Sequence, residues 1–300
     1  MEESLYQSPY GIEGIVTART ITRGLALHGM STLYKLTGRM DALERNRVQF
    51  IYLHHLFPEE EESFRNLIRA LSRNHTLVSF SEAVDRVKTG NIDKPYACFS
   101  FDDGLQQNLP AGKILAEFGV SGCFFICPSF VGETDRRKLK EICENRFAMP
   151  AMDLLSWKEV EEMVKDGHEI GSHTMNHPVL ARISKAQMQN EIAESRDVLT
   201  RRLGQVKHFA WPEGRFFHFT PAAAEAVYNA GYDSCVSAER GCHISQPSMP
   251  NFCIRRDYIS ARWPLGHSFY FLAKNSLTAV EGHHGWPQDW IENLAQSTAH

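Results

Sequence analysis

Runs of strand character alternate with runs of helix character along most of this chain, and that alternation restricts the fold more than any other feature. VQFIYLH (48–54) is a continuous apolar run of strand length. After EEEE, residues Phe64, Leu67, Ile68 and Leu71 recur at i, i+3, i+4 and i+7, the stripe of an amphipathic helix. YACFSF (96–101) opens a second unit, whose helix carries Ile114, Leu115 and Phe118 and closes at Gly119; GCFFIC (122–127) opens a third. Ser156 with Glu159 forms a capping box ahead of Val160, Met163 and Val164, with Gly167 as the stop. HEIGSH (168–173) is strand-like, and Ser184 with Gln187 caps a long helix that carries Met188, Ile192, Leu199 and Leu203 and ends at Gly204. HFAW (208–211) follows, then a helix entered by Thr220 and Pro221 and left near Gly231. DSCVS and CIRRDYI read as the last strands, and RWPLGHSFYFLAKN as a final helix. Strands separated by helices pair in parallel, so the fold class is α/β with a parallel sheet, and this many units between residues 48 and 258 favours one barrel-like domain over two.

Three polar clusters sit where these strands end. SFDDG places Asp102 and Asp103 directly after an apolar run, HEIGSHTMNHP places His173 and His177 four residues apart, and FAWPEGR places Trp211, Pro212 and Glu213 behind another strand. In parallel α/β folds, ligands bind at the carboxyl ends of the strands. Each cluster alone is a weak signal: two aspartates before a glycine are often a turn, and H-x-x-x-H arises by chance in a chain with 14 histidines. Their shared position on one rim makes them a site. Two imidazoles and a carboxylate form a three-ligand set with an open coordination position, as catalytic zinc sites have. A divalent cation would also relieve the repulsion between adjacent aspartates, one serving as ligand and the other as base. A suitable cation lowers the pKa of water from 15.7 to about 7, so the implied chemistry is metal-assisted hydrolysis of an acyl group.

Composition narrows the class further. A chain of 300 residues with 43% hydrophobic content can bury a sizeable core, and a net charge of −4 gives no nucleic-acid footprint. MEESLYQSPYGIEG lacks the apolar centre of a secretory signal, and the seven cysteines are scattered through apolar runs. Cys123 and Cys127, though spaced C-x-x-x-C, read as packed thiols. The expected compartment is the cytoplasm. Between Val16 and Met40 there is no acidic residue, while Arg19, Arg23, Lys35 and Arg39 are basic and Leu25, Leu27, Met30, Leu33 and Leu36 are apolar. This stretch reads as a helix packed on the domain, with peripheral contact through residues 16–40 to the inner face of an anionic membrane as the alternative.

In their order and spacing, SFDDG, HTMNHP and FAWPEG resemble the NodB-homology polysaccharide deacetylases, carbohydrate esterase family 4, with similarity from about Val48 to Tyr258 that includes IYLHH, PAGKILAEFGVSGCFFI and AAAEAVYNAGYDSCVS. The resemblance implies a distorted (β/α) barrel, often seven-stranded, that removes N-acetyl groups from sugars with a divalent metal, most often Zn2+. It assigns Asp102 as the base, Asp103, His173 and His177 as metal ligands, and the segment at Trp211, Pro212 and Glu213 as the oxyanion and substrate loop. Where many members carry an arginine that pairs with the base, this chain has Ala210; Arg256 is the preferred substitute and Arg215 the second. The late motif that supplies a histidine acid has no clean match, leaving His243 and His267 as candidates. His54 and His55 are either neighbours of the metal or structural hydrogen-bonders. Trp211 is the expected stacking face for a sugar, and Trp157 a core residue. The expected organisation is an N-terminal helical extension (1–46), the deacetylase domain (47–260), and a C-terminal helix and tail (261–300). The expected substrate is an N-acetylated amino sugar on its way into a cell-surface polysaccharide. Two rivals remain: a degenerate barrel that binds glycan without cutting it, and an iron oxygenase built on two histidines and one carboxylate.

Overall fold

The computed structural model describes residues 18–290. Residues 1–17 and 291–300, the outer parts of the expected extension and tail, lie outside the described residues. The strands are β1 (Arg47–Leu53), β2 (Thr76–Leu77), β3 (Pro95–Phe101), β4 (Gly122–Ile126), β5 (Glu169–Ser172), β6 (His208–Ala210), β7 (Ser234–Val236), β8 (Cys253–Ile254) and β9 (Asp257–Tyr258). They pair in parallel in the order β8-β7-β6-β5-β4-β3-β1-β9, with β2 added beside β3.

The two ends of that order are neighbours in the chain, separated only by Arg255 and Arg256. One stretch pairs first with β7, through Cys235↔Cys253 and Val236↔Ile254, and then with β1, through Ile51↔Asp257 and Tyr52↔Tyr258. Residues 253–258 thus bend across the gap and close a distorted barrel. Counted as one bent strand they make the expected seventh stave. The hydrogen bonding resolves nine strands because the two arginines interrupt the ladder and because β2 is too short to show an apolar run.

Side-chain alternation along the strands sorts the core into two layers. Val48, Phe50, Cys98, Cys123, Phe125, Ala210, Val236 and Ile254 cluster together, joined by Phe80. Ile51, Leu53, Phe99, Phe101, Phe124 and Ile126 belong to a separate, larger cluster with helix residues such as Phe64, Ile68 and Leu71. The first set fills the barrel and the second lies under the helices. The helices are α1 (Ala18–Leu36), α2 (Glu61–Leu71), α3 (Phe80–Thr89), α4 (Asn108–Glu117), α5 (Arg136–Asn145), α6 (Trp157–Lys165), α7 (Lys185–Leu203), α8 (Pro221–Asn229) and α9 (Leu265–Thr278). The capping boxes at Ser156 and Ser184 and the Thr220 cap form as the sequence predicts. Two helices were not expected from the sequence: α3, although Ser79 caps it and Phe80, Ala83, Val84 and Val87 form its buried stripe, and α5, capped by Asp135.

The start of α3 plugs the end of the barrel where the strands begin. Phe80 packs edge-on against Phe50 and Phe125, at 5.1 and 5.5 Å between ring centroids. Next to it the Ser81 backbone N–H donates to Glu169 Oε1 at 3.0 Å, and the Ser81 hydroxyl lies 2.9 Å from His208 Nε2. With that end sealed, the rim at the strand carboxyl ends is the place for a ligand.

Candidate functional site

Asp102 continues the inward face of β3 after Cys98 and Ser100, and its N–H still donates to Leu53 O as a ladder bond would. The strand then stops abruptly: Asp103 has φ 74° and Gly104 φ 70°. That turn separates the two carboxylates, so each meets a different partner. Asp102 receives both ends of the Arg256 guanidinium, with Nη1 to Oδ1 at 2.8 Å and Nη2 to Oδ2 at 2.7 Å. Asp103 Oδ1 lies 3.5 Å from His173 Nε2 and 3.3 Å from His177 Nε2.

Arg256 is itself fully buried. Its Nε donates to Ser237 O, its Nη1 also donates to Ser100 Oγ, and its guanidinium carbon lies 4.4 Å from the centroid of the Tyr52 ring. Burial pushes the Asp102 carboxyl up, but the Arg256 charge, aided by His173, outweighs it and holds that group below the ordinary carboxylate value. Asp103 behaves likewise: burial is opposed by the imidazoles of His173 and His177 beside it, and the balance lies well on the ionised side.

The histidines are fixed by their loop. His173 follows β5, where Gly171 leaves room for the Phe125 ring; a Cβ there would come within 2.4 Å of it. The imidazole Nδ1 of His173 meets Ala210 O at 2.7 Å. A carbonyl only accepts, so Nδ1 carries the proton and Nε2 is left with its lone pair toward Asp103 and His177. His177 is reached through Thr174 and is held by its N–H to Thr174 Oγ1 at 3.0 Å. Glu191 on α7 pins the intervening Asn176 by both main chain and side chain. Phe147 packs edge-on against His177 at 4.9 Å.

Five non-glycine residues among those described have a left-handed backbone: Asp103, Ala148, Thr174, His177 and Glu213. Four belong to the three motifs, and Ala148 follows Phe147 at the same site. Backbone strain costs on the order of 1–3 kcal/mol per residue and gathers at functional sites.

Ligand atoms of Asp103, His173 and His177 all lie within 4.8 Å of one another, and all three residues are buried. The set fits a divalent metal: it offers two imidazole nitrogens, one with a fixed tautomer, and a carboxylate whose ionised form is favoured. The three residues share a cavity of about 200 Å³ with Asp102, Tyr52, His54, Phe147, Glu213, Gly214 and Ala238. Glu213 and Gly214 are both left-handed, and Ala238 donates its N–H to Gly214 O at 2.8 Å.

Several expectations need correction. Trp211 borders the cavity, but its indole is fully buried, stacked on Phe219 at 4.2 Å and facing Trp286 at 6.0 Å. It has no open face for a sugar. Its Nε1–H donates to Arg215 O, so it braces the loop instead. Pro212, beside it, is buried as well. Arg215 pairs with Glu239 rather than with Asp102. His243 bridges to Val48 and accepts from the Arg255 N–H, while His267 packs near His28 on the outer helices; neither lines the cavity. His55 packs against Phe57 and is held neutral, its pKa lowered to about 4 chiefly by burial. Of the histidine pair at the end of β1, only His54 reaches the cavity. Phe147, Ser100 and Ser237 had no signal in the sequence, because each acts through a side chain that another segment supplies.

Residues 89–234 match the polysaccharide deacetylase family. A peptidoglycan-N-acetylglucosamine deacetylase of Bacillus cereus is 34% identical over 126 residues, covering 41% of this chain and 38% of that protein. Two curated relatives from Bacillus subtilis are likewise matched over less than half of their own length. Among solved structures, IcaB from Ammonifex degensii superposes with a TM-score of 0.61 at 18% identity, over 77% of this chain and 97% of that one. The Streptococcus pyogenes deacetylase PplD in complex with acetate gives 0.60 at 18% identity, over 77% and 98%. At that level of identity the likeness is one of fold.

Proposed function

The chain belongs to the polysaccharide deacetylase family of NodB homology, and on that premise we propose that it is a metal-dependent hydrolase that removes N-acetyl groups from an amino sugar. One observation carries the reading. A buried carboxylate clamped by arginine and a carboxylate–imidazole–imidazole set face the same small cavity. Asp103, His173 and His177 would hold the metal, and their mixed nitrogen and oxygen donors suit Zn2+. When bound, the metal supplies Lewis acidity for the attacking water and the acetyl carbonyl.

The chain's own residues do the rest. Asp102, kept ionised by Arg256, takes the proton from the attacking water. The left-handed turn at Glu213 presents the third-motif backbone to the developing oxyanion; the Glu213 N–H makes no backbone hydrogen bond among the described residues. His54, with neither His243 nor His267 near the cavity, donates a proton to the leaving amine. A cavity of about 200 Å³ is smaller than the usual 300–1,000 Å³ of small-molecule sites, so it admits one acetamido group while the rest of the glycan lies outside.

The Arg256 clamp favours catalysis over the degenerate-barrel reading, since it supplies the charge partner that Ala210 cannot. The seven cysteines are free thiols, six of them buried, which supports a reducing compartment and hence a cytoplasmic role in cell-surface polysaccharide biosynthesis. Acetate release from N-acetylglucosamine oligomers, with metal content measured in parallel, tests the proposal. Asp103→Ala and His173→Ala should lose both bound metal and turnover, and His54→Ala should keep the metal and lose rate. Full turnover in the ligand variants would overturn it.

A further inference from the structure

Helix α1 is docked by the face that its sequence would not single out. Ser31 and Tyr34 are buried and Gly24 and Leu27 partly so, spaced three or four residues apart along one side. The opposite side shows Ile21, Leu25, Leu33 and Leu36 to solvent, with Leu25 69% and Leu36 81% exposed. At 100° per residue these four fall on one stripe, and Arg23 and Lys35 fall on its two borders with the docked side. A helix that hides serine and tyrosine and exposes its leucines is built for an apolar medium outside the protein. No acidic side chain lies between Val16 and Met40.

The direction of the helix sets where that medium lies. Helix α9 starts at the rim that bears the site, near the ion pair of Arg262 with Glu60, and ends at the far side, where Ser276 Oγ donates to Ala42 O ahead of β1. Helix α1 runs alongside in the same direction: His28 meets His267 at 6.5 Å and Tyr34 meets Tyr270 at 4.8 Å. The turns before His28 therefore overhang the start of α9 on the site's side, by roughly 10 Å from Ile21 at 1.5 Å per residue.

We propose that α1 docks this protein on an anionic lipid bilayer, its leucine stripe in the interface and its basic borders at the headgroups, so that the site opens next to the membrane surface. A second copy of the chain fits the stripe less well, because two acid-free basic helices would repel. Anionic headgroups complement both borders at once. That a bilayer-anchored glycan is then presented to the site rests on the deacetylase reading; the docking does not.

Co-sedimentation of the full chain with vesicles of phosphatidylglycerol and phosphatidylcholine, against phosphatidylcholine alone, reads the docking without turnover. Binding should be about tenfold tighter to the anionic vesicles near 0.15 M salt and fall away at 1 M, where the Debye length is ~3 Å. The double variant Leu25→Glu/Leu33→Glu should lose vesicle binding, with an unchanged circular dichroism spectrum and melting temperature because both positions are exposed. Equal pelleting with and without anionic lipid would overturn the proposal. So would a double variant that pellets like the parent, or a dimer seen by light scattering that the double variant dissolves.

Discussion

Asp102 and Asp103 are adjacent, yet each faces its own partners, Arg256 for the first and two imidazoles for the second, and the left-handed turn at Asp103 makes that division possible. Arg256 matters most to Asp102, because both groups are buried and each would otherwise be an uncompensated charge. Arg256→Met should destabilise the fold by about 3–5 kcal/mol, the cost of stranding a buried carboxylate. It should also raise the Asp102 pKa, so that the acid limb of acetate release moves to higher pH. Arg256→Lys keeps the charge but not the planar two-pronged geometry, and should fall between parent and Met variant in urea midpoint and rate. The aspartates and His173 could be read from the sequence because they follow strand-like runs, and His177 from its spacing to His173. Arg256 could be read only as a basic residue at the last strand; its reach to Asp102 depends on barrel closure, which no local pattern encodes. Trp211 was misread for a similar reason: its stacking partners Phe219 and Trp286 come from separate segments.

At the scale of elements, the strands and capped helices were legible because burial periodicity and capping chemistry are local. The exceptions differ: α3 carries the same apolar stripe, at Phe80, Ala83, Val84 and Val87, and was there to be read, whereas α5 buries only Leu139 and Cys143. The segment around Phe147 that walls the site has no regular period at all. The loop after β6 shows how tightly such a segment can be held. Gly214 has φ 60°, and a Cβ there would stand 2.2 Å from the Ala238 Cβ and 2.6 Å from its nitrogen. Gly214→Ala must therefore push the loop away from β7 and shift Glu213 with it. A displacement near 1 Å at a reacting centre costs about 10²-fold in rate. Acetate release should fall by about that factor in this variant while metal content stays at the parental level; a change of less than threefold, on the order of 0.7 kcal/mol, would remove the loop from the reaction.

For the whole molecule, the three proposed ligands come from the turn after β3 and the loop after β5, so a bound cation ties separate parts of the barrel together. Ligand binding to the folded state alone adds about 4 kcal/mol at a thousandfold excess over Kd, and each kcal/mol is worth about 2–4 °C in a domain of 150–250 residues. Chelation should lower the melting temperature by roughly 10 °C in the parent and leave the His173→Ala variant where it already lies; calorimetry with and without EDTA reads both. The closing stretch 253–258 carries a different implication. Because Arg256 sits in the piece of chain that completes the ring, Asp102 acquires its charge partner only after all three motifs, and the strands between them, have been made. A growing chain on the ribosome would therefore carry its adjacent aspartates and paired histidines well before the guanidinium that neutralises Asp102 emerges.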